Sequence, residues 1–501
     1  MKFPPILKRF PHFLHGGDYN PDQWLDRPEV IDDDFRLMPL AGCNTFSVGI
    51  FSWSSYEVEE GVFTFGWLDA IMNRLAAKGY NALLATPSAA RPAWMAKKYP
   101  EVRRVDSNGR REPYHSRHNQ CWSSPVYREK VGLINRKLAE RYRGHPALAA
   151  WHVSNEYTPG CFCDLCLASF HGWLAQRYQT LDQLNAAWWT GFWSHRYTAW
   201  DEIDPRDSCV DGLALDWKRF QTWHGCDFMR HEIAPLRELT PEVPVTTNMM
   251  ELNEFAFDYW RVAEICDFSG YKLLVAPMLF MLKPGVAERL KQFVANGGTL
   301  VCTYLTGCVN ETNLCFTGGW PGDGLRNLFG LWNEELDGFT PQDRQSLVMI
   351  SDNSLGLQGE FVAVEFAERI HLEGATALAT YGHDFYAGEP AVTVNRFDNG
   401  RAYYLAARTG DDFLAAFYGR LVADAELATC LPSGNPAGVH GHLRTDGRRR
   451  FLFLYNCNRD AVTVNLGALP GRNLLEGGER VGSLTLPGYG STVLEQDVGG
   501  R

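Results

Sequence analysis

The run WHVSNEYTPGCFCDLC (151–166) carries two kinds of chemistry side by side. Asn155 and Glu156 close an apolar segment. A carboxyl group there can donate or accept a proton, and the neighbouring amide can hold a hydroxyl of a sugar. Glycoside hydrolysis needs two carboxyl groups, one as proton donor and one as nucleophile or base. A solvated glutamate after a strand is the plainer alternative for Glu156. Just downstream, Cys161, Cys163 and Cys166 crowd three thiols into one loop. A fourth would complete a tetrahedral zinc site. Cys121, in RHNQCWSSP, is the expected fourth, since it follows the third predicted strand on the same face. A chance cluster of buried thiols is the alternative. Four thiolates fill zinc's shell, so the cofactor expected is a structural zinc that pins the loop beside Glu156.

These residues need elements to position them. The first 268 residues alternate short apolar runs with helical periodicity, the pattern of βα units. Strands are predicted in HFLHGGDY (12–19), NTFSVGIF (44–51), NALLATPS (81–88), ALAAWHVSNE (147–156) and VPVTTNMM (243–250), with a short sixth at the end of RVAEICDFSG (261–270). Helices are predicted over 27–42, 65–80 and 125–146. The second presents Leu68, Ile71, Met72 and Leu75 on one face and is closed by glycine. Polar residues at strand ends (Asp18, Asn155, Glu156, Asn248) suit a TIM-type (β/α)8 barrel, whose chemistry sits at the C-terminal ends of its strands. From about Tyr271, a strand, a helix and a strand repeat in the manner of a doubly wound α/β domain. The tail, with FLFLYNCN, AVTVNLG and STVLEQ, reads as a small antiparallel β domain. The expected division is 1–268, 269–412 and 413–501.

Composition narrows the function classes. The chain has 501 residues and a formal net charge of −11, with 48 Lys+Arg against 59 Asp+Glu, so no nucleic-acid surface is expected. No apolar run approaches the ~18 residues of a membrane span. The N-terminus, with prolines at 4, 5 and 11, lacks the apolar core of a signal peptide. Thirteen cysteines, mostly scattered singly, fit a reducing cytoplasm better than a disulfide framework. The 16 Trp, 20 Tyr and 29 Phe fill cores, and some could stack on sugar rings.

HGGDYNPDQW (15–24), SVGIFSWSSYEVEEGVFTFGWLD (47–69), TPSAARPAWM (86–95), SRHNQC (116–121), WHVSNEY (151–157), CFCDLC (161–166) and FWSHRY (192–197) together resemble glycoside hydrolase family 42, the bacterial β-galactosidases. The likeness continues through YKLLVAPML, the segment 371–406 and the β-rich tail. It implies that Glu156 is the acid/base, that Asn155, Arg117 and Trp193 contact galactose, and that Cys121, Cys161, Cys163 and Cys166 hold zinc. It also implies a homotrimer, a β-galactoside substrate and hydrolysis with retention.

The family's pattern puts the nucleophilic glutamate on a seventh strand and closes the barrel with an eighth. Here Asp267–Gly270 runs straight into Tyr271–Leu273, the opening of the second domain. The fold expected is therefore an incomplete barrel, with the segment that should hold the nucleophile missing between Gly270 and Tyr271. Glu251 and Glu254, after the fifth strand, are the available stand-ins, and a solvated loop is their plainer reading. Three functions stay open: a β-galactosidase, a catalytically inactive galactoside-binding relative, or a chain whose remaining role is assembly through the second domain.

Overall fold

The structure is a computed structural model. It describes residues 6, 7, 9, 10, 12–114, 117–158, 160–206, 210–249, 267–340, 342, 343, 345–432 and 434–497. Five strands, β1 (Asp18–Tyr19), β2 (Thr45–Val48), β3 (Asn81–Ala85), β4 (Leu148–His152) and β5 (Val245–Thr246), form one sheet in chain order. All four pairings are parallel, with Thr45 opposite Asn81, Ala82 opposite Leu148 and Trp151 opposite Val245. Parallel neighbours require a crossover, and helices α1 (Pro28–Leu40), α2 (Gly66–Ala77) and α3 (Pro125–Tyr142) supply three of them. Each helix turns its apolar stripe to the sheet: Ile31, Phe35 and Met38 from α1; Leu68, Ile71, Met72 and Leu75 from α2; Val131, Ile134 and Leu138 from α3. Gly42 and Gly79 follow α1 and α2 at φ 68° and 71°, where a side chain would be strained.

Between β4 and β5 lie α4 (Asp164–Tyr178), α5 (Leu181–Trp188) and the long α6 (Asp211–Leu239). Phe170, Leu174, Trp188, Trp217 and Phe220 give this excursion its own core. Helix α6 then packs along α3 and returns the chain to β5.

Five of the predicted strands are present. The sixth has no counterpart among the described residues. Asp267–Gly270 is a turn, in which Ser269 N–H donates to Asp267 Oδ1 at 2.9 Å and Tyr271 N–H to Phe268 O at 3.0 Å. Residues 261–266, and with them the rest of that predicted segment, lie outside the described residues. Among the described residues β1 and β5 each have one neighbour, so the sheet has two open edges.

The second domain follows the doubly wound expectation in part. Strands Leu273–Ala276, Thr299–Thr303 and Gly400–Leu405 are parallel, with helix Val286–Ala295 as a crossover. The rest of its nine-stranded sheet, from Leu331 to Phe397 and the short Ala407–Thr409, is antiparallel. The doubly wound reading failed there because segments such as EFVAVEFAERIHL (360–372) form long hairpin strands without intervening helices. The C-terminal domain is a curled five-stranded antiparallel sheet over 439–497, with Leu452, Leu454, Val464 and Leu494 inside. Among the described residues no helix is long and apolar enough to cross a membrane.

Candidate active site

Strand β4 runs out into a tight turn at its C-terminal end. Ser154 and Glu156 both take left-handed backbone angles, φ 51° and 44°, around the buried Asn155. Non-glycine residues hold such angles only where the surroundings fix them. Ser154 N–H donates to Thr86 Oγ1 at 2.8 Å from the loop after β3. Glu156 N–H reaches Asn248 O at 3.3 Å in the loop after β5. Asn248 also bonds His152 through its side chain at 3.0 Å, and burial lowers the pKa of His152. The turn is thus held from both neighbouring strands.

Arg117 comes from the loop after β3, and its guanidinium donates to Glu156 Oε2 at 2.6 Å. Its other face covers the Phe51 ring at 5.5 Å. Phe51 follows β2, so three successive strand ends meet here. Beside Arg117, His118 has its pKa pushed down to about 4, first by burial and then by the Arg117 charge. It is therefore neutral at pH 7. The site brings together a partly exposed carboxyl group, a guanidinium and a buried amide at the strand end where a barrel does its chemistry.

Trp193 lies in the short turn Phe192–Ser194 within the excursion after α5. Its neighbour Phe192 is exposed. Glu251 and Glu254, the stand-in carboxylates, lie outside the described residues.

The four cysteines converge. Cys121 Sγ is 3.5 Å from the sulfurs of Cys163 and of Cys166, and all four sulfurs lie within 4.8 Å of one another. Thiolates at about 2.3 Å from a tetrahedral ion would sit about 3.8 Å apart, so the quartet fits a metal of that kind. Cys121, Cys163 and Cys166 are buried, and Val105 N–H points at Cys161 Sγ at 3.5 Å. The cluster could hold a metal ion. Three of its members, Cys161, Cys163 and Cys166, follow the Glu156 turn in the chain. All eleven described cysteines are free of disulfides.

Two groups at this end carry no signal in a strand-end reading. Arg91, in the loop after β3, is 3% exposed, and none of its guanidinium nitrogens has a hydrogen-bond partner among the described residues. Burial holds its pKa down to about 10, and Tyr114 covers it at 5.3 Å. Glu232, deep in α6, is fully buried, and burial raises its pKa to about 7. Both its oxygens are taken, one by the Ser88 hydroxyl and one by the Tyr157 hydroxyl.

Three family models match in succession: the β-galactosidase family over residues 18–290, its trimerisation domain over 231–428 and its C-terminal domain over 438–496. A β-galactosidase of Alicyclobacillus acidocaldarius is 36% identical over an alignment of 683 positions, covering 99% of each chain. One of Clostridium perfringens is 33% identical over 686, again covering 99% of each. The crystal structure of the cold-adapted β-galactosidase from Rahnella sp. R3 superposes with a TM-score of 0.95 at 35% identity, covering 99% of this chain and 100% of that one. That of the Bacillus circulans sp. alkalophilus enzyme gives 0.91 at 30%, covering 98% and 100%. With a TIM-barrel domain, an α/β domain and a curled β domain in the same order as these relatives, the chain belongs to glycoside hydrolase family 42, the β-galactosidases.

Proposed function

We propose that this chain acts on terminal β-D-galactosides as a retaining glycoside hydrolase, with Glu156 as the acid/base. The observation that carries this reading is the Arg117–Glu156 contact of 2.6 Å beside the buried Asn155, at the C-terminal end of β4. In this role Glu156 gives its proton to the glycosidic oxygen as the bond breaks, then takes one from the attacking water. Arg117 fixes the carboxyl group in direction and offers its remaining donors to a sugar hydroxyl. Asn155, Arg117 and Trp193 are the sugar-contacting residues of this reading.

Retention also needs a nucleophile, with its carboxyl group about 5–5.5 Å from the first. We infer that the segment supplying it is missing between Gly270 and Tyr271. Two observations support this. The sheet has open edges at β1 and β5 among the described residues. The match to the Alicyclobacillus enzyme extends over 683 positions, 182 more than the 501 residues here (683 − 501). The alternative to this reading is a relative that binds galactosides without turning them over.

Turnover of a nitrophenyl β-galactoside by the parent and by Glu156→Gln, with galactose binding by calorimetry, separates the readings. Turnover abolished by the substitution supports the first. Galactose binding without turnover in the parent supports the second. Absence of both removes Glu156 from any galactoside site.

The metal of this reading is a structural zinc held by Cys121, Cys161, Cys163 and Cys166. With four thiolates its shell is full, so it would brace the loop and leave the proton chemistry to Glu156. The match to a trimerisation domain over 231–428 supports a homotrimer. Free, scattered cysteines support a cytoplasmic location. The domain limits proposed are 1–268, 269–412 and 413–501.

A further inference from the structure

We propose that Glu232 is a positioning residue that holds the catalytic turn through Tyr157, an inference that rests on the acid/base reading of Glu156. Glu232 lies on α6, and its carboxyl group reaches two loops at once. One oxygen meets the Ser88 hydroxyl after β3, and the other meets the Tyr157 hydroxyl after β4. The Glu232 backbone carbonyl accepts from Asn135 Nδ2 on α3 at 3.1 Å. Ser88 is fixed in turn, since its carbonyl accepts from the Tyr127 hydroxyl at 2.5 Å. The charged and titratable groups around the carboxyl group are Tyr157 from the β4 loop, and Tyr127 and Arg128 from α3.

Tyr157 directly follows Glu156. Its ring is 2% exposed and stands edge-on to Trp122 at 6.1 Å and to Phe228 at 6.5 Å. Its hydroxyl ends on Glu232. The residue next to the acid/base is therefore clamped at both ring and hydroxyl. By contrast, the backbone bond from Glu156 itself is long, at 3.3 Å. The left-handed angles at Ser154 and Glu156 need such outside support. A fully buried carboxyl group loses hydration that an apolar residue of similar volume would not lose. Packing alone would favour that apolar residue; tying two loops with two hydrogen bonds requires a carboxyl group or its amide.

The test uses the full chain with Glu232→Gln, Glu232→Leu and Tyr157→Phe. Hydrogen exchange over 150–158 reads the turn without any need for turnover. Glu232→Leu and Tyr157→Phe should speed exchange of the amides at 154–157 by at least tenfold, and Glu232→Gln by less than threefold. Strand Thr299–Thr303 should be unchanged in all three. Exchange at 154–157 that matches the parent in both Glu232→Leu and Tyr157→Phe overturns the proposal. Should Glu232→Leu also loosen 299–303, it has unfolded globally, and Tyr157→Phe, which leaves α6 intact, decides.

Turnover adds a second reading. A dinitrophenyl galactoside needs little proton donation on departure, whereas methyl β-galactoside needs it fully. Glu232→Leu should lose at least tenfold more on the methyl substrate. Equal loss on both overturns the positioning of the acid/base, while a Glu156→Gln effect on the methyl substrate would still support Glu156. If the parent turns over neither substrate, the catalytic reading of Glu156 fails, and exchange alone judges the hold of Glu232 on the turn.

Discussion

Replacing Glu232 by glutamine should stabilise the barrel domain increasingly as pH rises. Burial raises the Glu232 pKa from 4.5 to about 7. Below pH 4.5 the group is protonated in both folded and unfolded chains and contributes nothing to the pH dependence. Between 4.5 and 7 the unfolded chain releases a proton that the folded chain keeps. The unfolded state then binds fewer protons, so folding stability falls as pH rises. Above 7 the loss levels off. Each pKa unit is worth about 1.4 kcal/mol, so the plateau is about 3 kcal/mol. Glutamine fills the same space and keeps one acceptor and one donor for Ser88 and Tyr157, but does not titrate. The difference between variant and parent cancels every other titrating group. At about 2–4 °C per kcal/mol for a domain of this size, the melting temperature of E232Q relative to the parent should climb by roughly 6–12 °C between pH 4.5 and pH 8. Tryptophan fluorescence during thermal unfolding follows the barrel, which holds Trp53, Trp122 and Trp151 in its core. Melting curves of parent and variant that stay parallel from pH 4.5 to 8 would refute the reasoning.

Three further outcomes are expected. The parent should carry about one zinc per chain by elemental analysis, and Cys163→Ser should lose it and loosen the loops around Val105 and Cys161 in hydrogen exchange. Arg117→Ala should weaken galactose binding at least tenfold by calorimetry. It should shift the melting temperature by less than about 4 °C, because the pair with Glu156 is partly exposed and such pairs contribute at most about 1 kcal/mol; the reverse pattern would make the pair structural. Gly400→Ala should destabilise the second domain by roughly 1–3 kcal/mol, because an added Cβ would meet Val294 O at 2.1 Å and Gly298 O at 2.4 Å, both rigid backbone. Local exchange at Thr299–Thr303 should rise while the Glu156 turn is unaffected.

What the amino-acid order revealed was largely what is local. Strands β1 to β5 are short apolar runs closed by polar residues, and each sits where its period predicts. The cysteine quartet was legible because three of the thiols lie within six residues and the fourth follows a neighbouring strand. The end of the predicted sixth strand, at 267–270, is a turn instead, because Asp267 bonds Ser269 N–H, a side-chain competition that hydropathy does not register. The antiparallel half of the second domain was hidden because long alternating strands and parallel strands share the same residues. Glu232 escaped notice for a different reason. It lies on a regular helix, 75 residues from Tyr157, and only the packing of α6 under the β3 and β4 loops gives it a role. Arg91 was visible in TPSAARPAWM, but nothing in that string says its guanidinium is buried without a hydrogen-bond partner among the described residues.

The cysteine cluster has a topological side as well. From Cys121 the chain runs through α3 and β4 and comes back at Cys161, so bridging the sulfurs closes a ring of about 40 residues around one whole βα unit. Closing a loop of that length removes on the order of 4 kcal/mol of chain entropy from the unfolded ensemble in the cross-link model. The unit enclosed is the one that ends in Glu156. A bridged cluster would therefore make this strand and its helix fold and unfold as one piece, so that the mobility of the turn at Glu156 follows the state of the four sulfurs beside it.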